Sequence, residues 1–153
     1  MNSTLLSKQK IAGKNVLIIG PPASGKTSFA NQLGGNVVHT DDYIKHGYEQ
    51  ALYVMMFDLV NAEPPLIIEG VLGYRLLRKI AQTNFNWKPD LVIELQISKE
   101  RQQYVYQTER DPSKLRYLQS FAAAHAKILD DYFQLVGDNR PEWIKYNYMI
   151  PAL

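Results

Sequence analysis

Apolar residues fall in short runs separated by longer stretches of helical period. Five runs have the length and branched side chains of strands, at residues 15–19, 36–39, 65–69, 90–97 and 145–150. They are mostly apolar at consecutive positions, as strands are when both faces of a sheet are covered. A first helical stretch, 25–33, ends at Gly34-Gly35, where a left-handed cap has no steric cost. A second, 43–61, carries Ile44, Tyr48, Leu52, Met55 and Leu59 along one face, and this stripe reads as core, with Met55-Met56 packed rather than binding. A third covers 74–82, and Trp87-Lys88-Pro89-Asp90 reads as the loop into the fourth strand. A fourth spans 98–109. The longest begins at Asp111, whose carboxylate can accept from orphan N–H groups while Pro112 presets the φ of the first helical position, and it ends near Val136-Gly137. Its stripe is Leu115, Leu118, Ala122, His125, Leu129, Tyr132 and Val136, which makes His125 a buried, hydrogen-bonded core residue rather than a catalyst. Strands alternating with helices predict an α/β fold with a parallel sheet flanked by helices.

The segment after the first strand adds chemistry. Gly20-Pro21-Pro22-Ala23-Ser24-Gly25-Lys26-Thr27 completes the pattern GxxxxGK[ST], followed by Ser28, between a predicted strand and a predicted helix. Gly20 and Gly25 allow backbone conformations closed to residues with a Cβ, which turn successive N–H groups toward a polyphosphate. The helix adds its positive N-terminal end. Lys26 would lie against the β- and γ-phosphates as a point charge, and the Thr27 hydroxyl would take a position on Mg²⁺. A glycine-rich turn with a surface lysine is the bland alternative, and the strand-to-helix context argues against it.

Two acidic signals come next at strand ends, where ligands of open parallel sheets collect. Thr40-Asp41-Asp42-Tyr43 closes the second strand. Asp41 is the candidate base, accepting a hydroxyl proton or contacting Mg²⁺ through water, and Asp42 caps the next helix. Ile67-Ile68-Glu69-Gly70 ends the third strand, and a carboxylate there needs Mg²⁺, its waters, Lys26 or a loop hydrogen bond to offset burial. After the fourth strand come Arg101, Arg110 and Arg116, either a solvated face or guanidinium forks for a transferring phosphate.

Composition narrows the setting. A chain of 153 residues, 46 % hydrophobic and 21 % charged, fits one globular domain with no low-complexity segment or repeat. A net charge of +2 is too mild for a dedicated nucleic-acid binder, and Lys8, Lys10 and Lys14 read as a solvated tail over about residues 1–13. The absence of cysteine excludes disulfides and thiolate metal sites. With no signal-peptide core and no apolar run of spanning length, a cytoplasmic, membrane-independent protein is expected.

Taken in order, GPPASGKTS, HTDDY, IIEGVLGYR and KERQQYVYQTERD resemble the P-loop kinases of small molecules, most closely the uridine kinase and phosphoribulokinase-like group. The first segment is highly specific for nucleotide binding; the others gain weight from their order. The resemblance implies a P-loop NTPase three-layer sandwich with strand order 2-3-1-4-5, a lid over about 98–116, ATP and Mg²⁺ as cofactors, and a hydroxyl acceptor, with nucleosides among the candidates. By position, Asp41 resembles the family's base, Thr27 and Glu69 its metal contacts, and Arg110 and Arg101 its lid arginines, with Arg116 nearby. HTDDY also resembles polynucleotide 5′-hydroxyl kinases, and a nucleotide-binding regulatory protein without efficient transfer is the alternative outside catalysis. The chain departs from uridine kinases in having only residues 43–64 between the acidic pair and the third strand, and Pro112-Ser113-Lys114-Leu115-Arg116 where they carry an Arg-Gly-Arg cluster. No guanine-reading NKxD is present, which favours adenine, held near Arg140 and residues 146–151. Tyr43, Tyr48, Tyr74 and Arg75 are acceptor-contact candidates by location.

Overall fold

The fold is that of a computed structural model, which describes residues 11–22 and 24–147. Ala23 of the glycine-rich loop, Lys8 and Lys10 of the basic tail, and the end of the expected fifth strand lie outside the described residues.

Five strands form one sheet: β1 (Val16–Ile19), β2 (Val37–His39), β3 (Ile67–Glu69), β4 (Leu91–Gln96) and β5 (Glu142–Asn147). Every neighbouring pair is parallel, and the order is β2-β3-β1-β4-β5, as the family resemblance implies. Among the described residues, five α-helices connect and cover them: α1 (Lys26–Leu33), α2 (Tyr48–Asn61), α3 (Gly73–Thr83), α4 (Lys99–Thr108) and α5 (Pro112–Val136).

Alternate residues of the buried strands feed two separate cores, as the two-residue period of a strand requires. Leu17, Ile19, Ile68 and Val92 face α2, α3 and α5, where they meet Met55, Leu59, Leu76, Leu77, Phe121 and Ile128. Val16, Ile18, Ile67, Leu91 and Ile93 face the other way, onto Phe29 and Ala30 of α1. The continuous apolar runs of the sequence thus have a cause: β1, central in the sheet, is fully buried along its length.

Local chemistry sets the helix ends. Asp111 caps α5 by accepting from Ser113 N at 2.9 Å, with Pro112 in the first turn, and Ser98 caps α4 by accepting from Arg101 N at 3.1 Å. Gly34, at φ 74°, closes α1. Several expectations need correction, among them that Asp42 caps the second helix, since it lies within a 3-10 helix and Gly47 stands at that helix's start. The second helix does not start at Tyr43: residues Thr40–His46 form a 3-10 helix, and Gly47 at φ 81° breaks the chain before α2. Ile44 and Tyr48 consequently leave the core stripe and are exposed, whereas Leu52, Met55, Met56 and Leu59 stay buried. On α5 the buried line is Phe121, His125, Ile128 and Tyr132, so Ala122 turns outward. The fifth strand begins three residues earlier than expected, at Glu142. As an edge strand it is only partly covered, with Trp143 on one face and Ile144 and Tyr146 on the other.

Lys14 reaches Glu142 in an exposed ion pair at 3.7 Å. Among the described residues, no helix is long and apolar enough to cross a membrane.

Candidate functional site

β1, β2 and β3 end side by side, and the segments that leave their carboxyl ends open onto one cleft of about 310 Å³. Pro22, Gly25, Lys26, Thr27 and Ser28 line it from the loop and the first turn of α1. Asp41 joins from beyond β2, and Glu69 from the end of β3. A larger cavity of about 460 Å³, between Ile11–Lys14, Leu33–Asn36 and Glu63–Pro65, lies at the opposite ends of the strands and holds none of these groups.

The loop is built to bring backbone close. Gly25 sits at φ 92°, a left-handed conformation that side chains disfavour. A Cβ at Gly20 would come within 2.8 Å of Ser24 Oγ and 2.9 Å of Leu95 O, so only glycine fits there. Ser24 is itself buried, and its hydroxyl has no partner among the described residues. The first intrahelical bond of α1 runs from Phe29 N to Gly25 O at 2.8 Å. The N–H groups of Lys26, Thr27 and Ser28 precede it and have no intrahelical acceptor, which makes this end of the helix an anion-seeking surface.

Lys26 is buried, and its ammonium donates to Gly20 O at 2.9 Å and Pro21 O at 2.8 Å. Two of its three protons are therefore used to hold the loop, and one remains. Burial lowers its pKa to about 8, with Glu69 and Asp41 acting in the opposite direction. Burial thus outweighs the two nearby carboxylates, and an anion at the ammonium would stabilise its charged form.

Glu69 is buried at the centre of the acidic side. Its Oε1 accepts from Thr27 Oγ1 at 3.1 Å and lies 2.6 Å from His39 Nδ1. Gly70 comes next at φ 138°, where a Cβ would collide with Thr40 Oγ1. This close contact locks the end of β3 against the start of the 3-10 helix that bears Asp41. His39 is the site residue that the motifs missed. Parallel pairing of β2 with β3 puts it in register with Glu69, so the signal lay in strand order, not in any local pattern.

The remaining expected residues among those described stand outside the cleft. Pro21 and Ser24 support the loop without lining it. Arg101 on α4, Arg110 between α4 and α5, and Arg116 on α5 do not line it either. Arg101 lies over the Tyr104 ring at 5.4 Å, and Arg116 reaches Ser113 Oγ at 3.4 Å. α4 nevertheless sits over the loop, where Gln102, Val105 and Tyr106 share a small cavity with Pro21 and Pro22. Tyr43 donates to Asp58 at 2.7 Å, tying the 3-10 helix to α2. Tyr74 is core, stacked edge-on to Phe121 and His125. His125 is buried as expected, and its Nδ1–H donates to Phe121 O at 2.9 Å. Burial lowers its pKa, with the Phe121 hydrogen bond opposing and Arg75 and Lys26 adding to the fall, and its place among the packed rings makes it structural.

Among the described residues, no three His, Cys, Asp or Glu side chains gather into a metal cage. Mg²⁺ does not need one, since it is commonly held by one or two protein oxygens together with phosphate oxygens and waters. The Thr27 hydroxyl and the Glu69 carboxylate, hydrogen-bonded to each other at 3.1 Å, are oxygen donors of the kind that ion takes, so this pair fits it.

No protein-family model matches the chain, and no curated protein matches it.

Proposed function

We propose that the chain is a P-loop kinase of the cytosol that transfers the γ-phosphate of ATP, with Mg²⁺, to a hydroxyl of a small molecule. The observation that carries the reading is convergence. A GxxxxGK[ST] loop, Asp41 and Glu69 come from three separate stretches of sequence, and all line one cleft at the carboxyl end of a parallel sheet.

In this reading, the free N–H groups at the start of α1 and the remaining Lys26 proton hold the β- and γ-phosphates. Thr27 and Glu69 would hold Mg²⁺, which when bound neutralises charge on the phosphate oxygens. Asp41, exposed at the cleft, accepts the acceptor's hydroxyl proton as its oxygen bonds to the γ-phosphorus. The bond from the γ-phosphorus to the bridging oxygen breaks, and ADP leaves with that electron pair. Little covalent work falls to the protein, so rate comes from alignment and charge.

The test is Asp41→Asn, assayed for transfer and for ATP binding in parallel. Transfer should fall by about a hundredfold or more while ATP affinity stays within a fewfold of wild type. Equal loss of both would make Asp41 a metal or structural residue and remove the base from this account.

A further inference from the structure

Three cations lie on α3, and their partners differ. Arg78 pairs with Asp131 at 3.1 Å, and Lys79 with Glu49 at 3.0 Å. Arg75 has no carboxylate partner and no hydrogen bond among the described residues, although it is partly buried. Its guanidinium lies over the Tyr48 ring, 5.2 Å from the centroid. Ring stacking occupies a face of the fork and leaves its N–H edge available for an oxyanion.

The position of Arg75 relates it to the cleft. It is two residues beyond Gly73, which is packed so tightly on the end of β1 that a Cβ there would come within 2.9 Å of Ile19 Cγ2. The first turn of α3 is thereby fixed beside the residue that precedes the loop. Across from it, Tyr117, Phe121 and His125 of α5 form a continuous wall with Tyr74, at ring separations of 5.7, 3.9 and 4.7 Å. Tyr117 stays partly open at the outer end of that wall. Burial first, then Tyr48 and Asp41, push its hydroxyl up to about 12 against the pull of Arg75. Val71, four residues before Arg75, lines the cleft together with Asp41, so the Arg75–Tyr48 pair stands on the helix that leaves the edge of the cleft.

We infer that the edge of the cleft beside Arg75 is the acceptor site and that the acceptor is itself an anion, a hydroxyl compound whose phosphate or carboxylate is held by Arg75. The inference rests on the kinase reading and narrows it. An uncharged nucleoside or sugar would leave the guanidinium unpaired, whereas an anionic group fixed there would hold the molecule by one end. Its hydroxyl would then be presented to Asp41. Tyr48 supplies the platform that keeps the guanidinium plane in place.

The experiment compares neutral and charged probes on the intact protein with the nucleotide site filled by ADP and Mg²⁺. Glycerol, ribose and thymidine are each titrated against their phosphate esters, and glycerol also against glycerate, so that phosphate and carboxylate recognition are read separately. At least one anion should bind ten or more times tighter than its neutral counterpart. Arg75→Gln should abolish that preference, and Arg75→Lys should retain part of it, because the charge survives without the fork. No preference in any wild-type pair, or a preference that survives in Arg75→Gln, overturns the inference. Tighter binding of a 5′-hydroxyl oligonucleotide than of every small anion overturns it in favour of a polymeric acceptor. Nucleotide binding is measured in the same titrations. Failure to bind ADP or ATP defeats the kinase reading, whereas nucleotide binding without anion preference defeats this inference alone.

Discussion

His39 Nδ1 lies 2.6 Å from Glu69 Oε1, and the two residues are register partners on adjacent parallel strands. The same oxygen accepts from Thr27, which leaves Glu69 Oε2 without a protein partner among the described residues. One oxygen is thus used to orient the carboxylate and the other is left for a ligand. Partners of this kind act on a metal through the group they orient.

Replacing His39 should therefore impair magnesium use rather than nucleotide recognition. In His39→Ala, the Mg²⁺ concentration for half-maximal transfer should rise about tenfold. ATP binding measured without Mg²⁺ should be unchanged. A magnesium titration of turnover checks this, and an unaltered midpoint would assign the pair to stability alone.

Lys26 gives a proton-linkage prediction. Its pKa in the free protein is lowered to about 8, so at pH 8.5 most molecules carry it neutral. Triphosphate favours the ammonium form and raises that pKa. Binding at pH 8.5 should therefore take up protons, and binding at pH 6.5, where the lysine is already charged, should take up none at this residue. Calorimetry in two buffers of different ionisation enthalpy measures the uptake, which Lys26→Ala should abolish. In the unliganded protein the sign for stability is the reverse of a paired cation's. The buried charge costs stability below pH 8, and that cost is relieved as pH rises through the folded pKa toward 10.5.

Gly70 admits no side chain, because a Cβ would meet Thr40 Oγ1 and the backbone sits at φ 138°. Gly70→Ala should lower stability by about 2 kcal/mol or more. That corresponds to about 2–4 °C in Tm for each kcal/mol in a chain of this size. Thermal unfolding followed by circular dichroism checks it, and an unchanged Tm would mean that the two segments do not approach this closely.

Arg110 is exposed and stands outside the cleft, so a role in transfer would require the segment between α4 and α5 to close over nucleotide. Arg110→Ala should leave stability within about 0.5 kcal/mol of wild type. Turnover should fall by about a hundredfold. Equal turnover in single-cycle kinetics would return Arg110 to the solvated surface.

The sequence made the central features readable for a physical reason. β1 is buried on both faces and therefore apolar throughout, and the loop after it must be glycine where Gly20 meets Leu95 and Ser24. Asp41 and Glu69 could be located because strand ends in a parallel sheet share one rim. The features that the sequence concealed depended on neighbours distant along the chain. His39 matters because β2 lies beside β3, and Arg75, a candidate by location alone in the sequence, is set apart from Arg78 and Lys79 only by their acidic partners. The break at Gly47 was hidden by apolar spacing that continues across it from Ile44 to Leu52. β5 was shifted because an edge strand covered on parts of both faces reads as mixed, not as an apolar run.

The most direct test of the central claim is calorimetric titration of ATP with Mg²⁺ into wild type and Lys26→Ala under identical conditions. Wild type should bind one ATP per chain. The variant should bind about ten to a hundred times more weakly, as expected for losing a charge-assisted contact of about 1.5–3 kcal/mol. Absence of ATP binding by wild type, or equal affinity in the two proteins, would contradict the account.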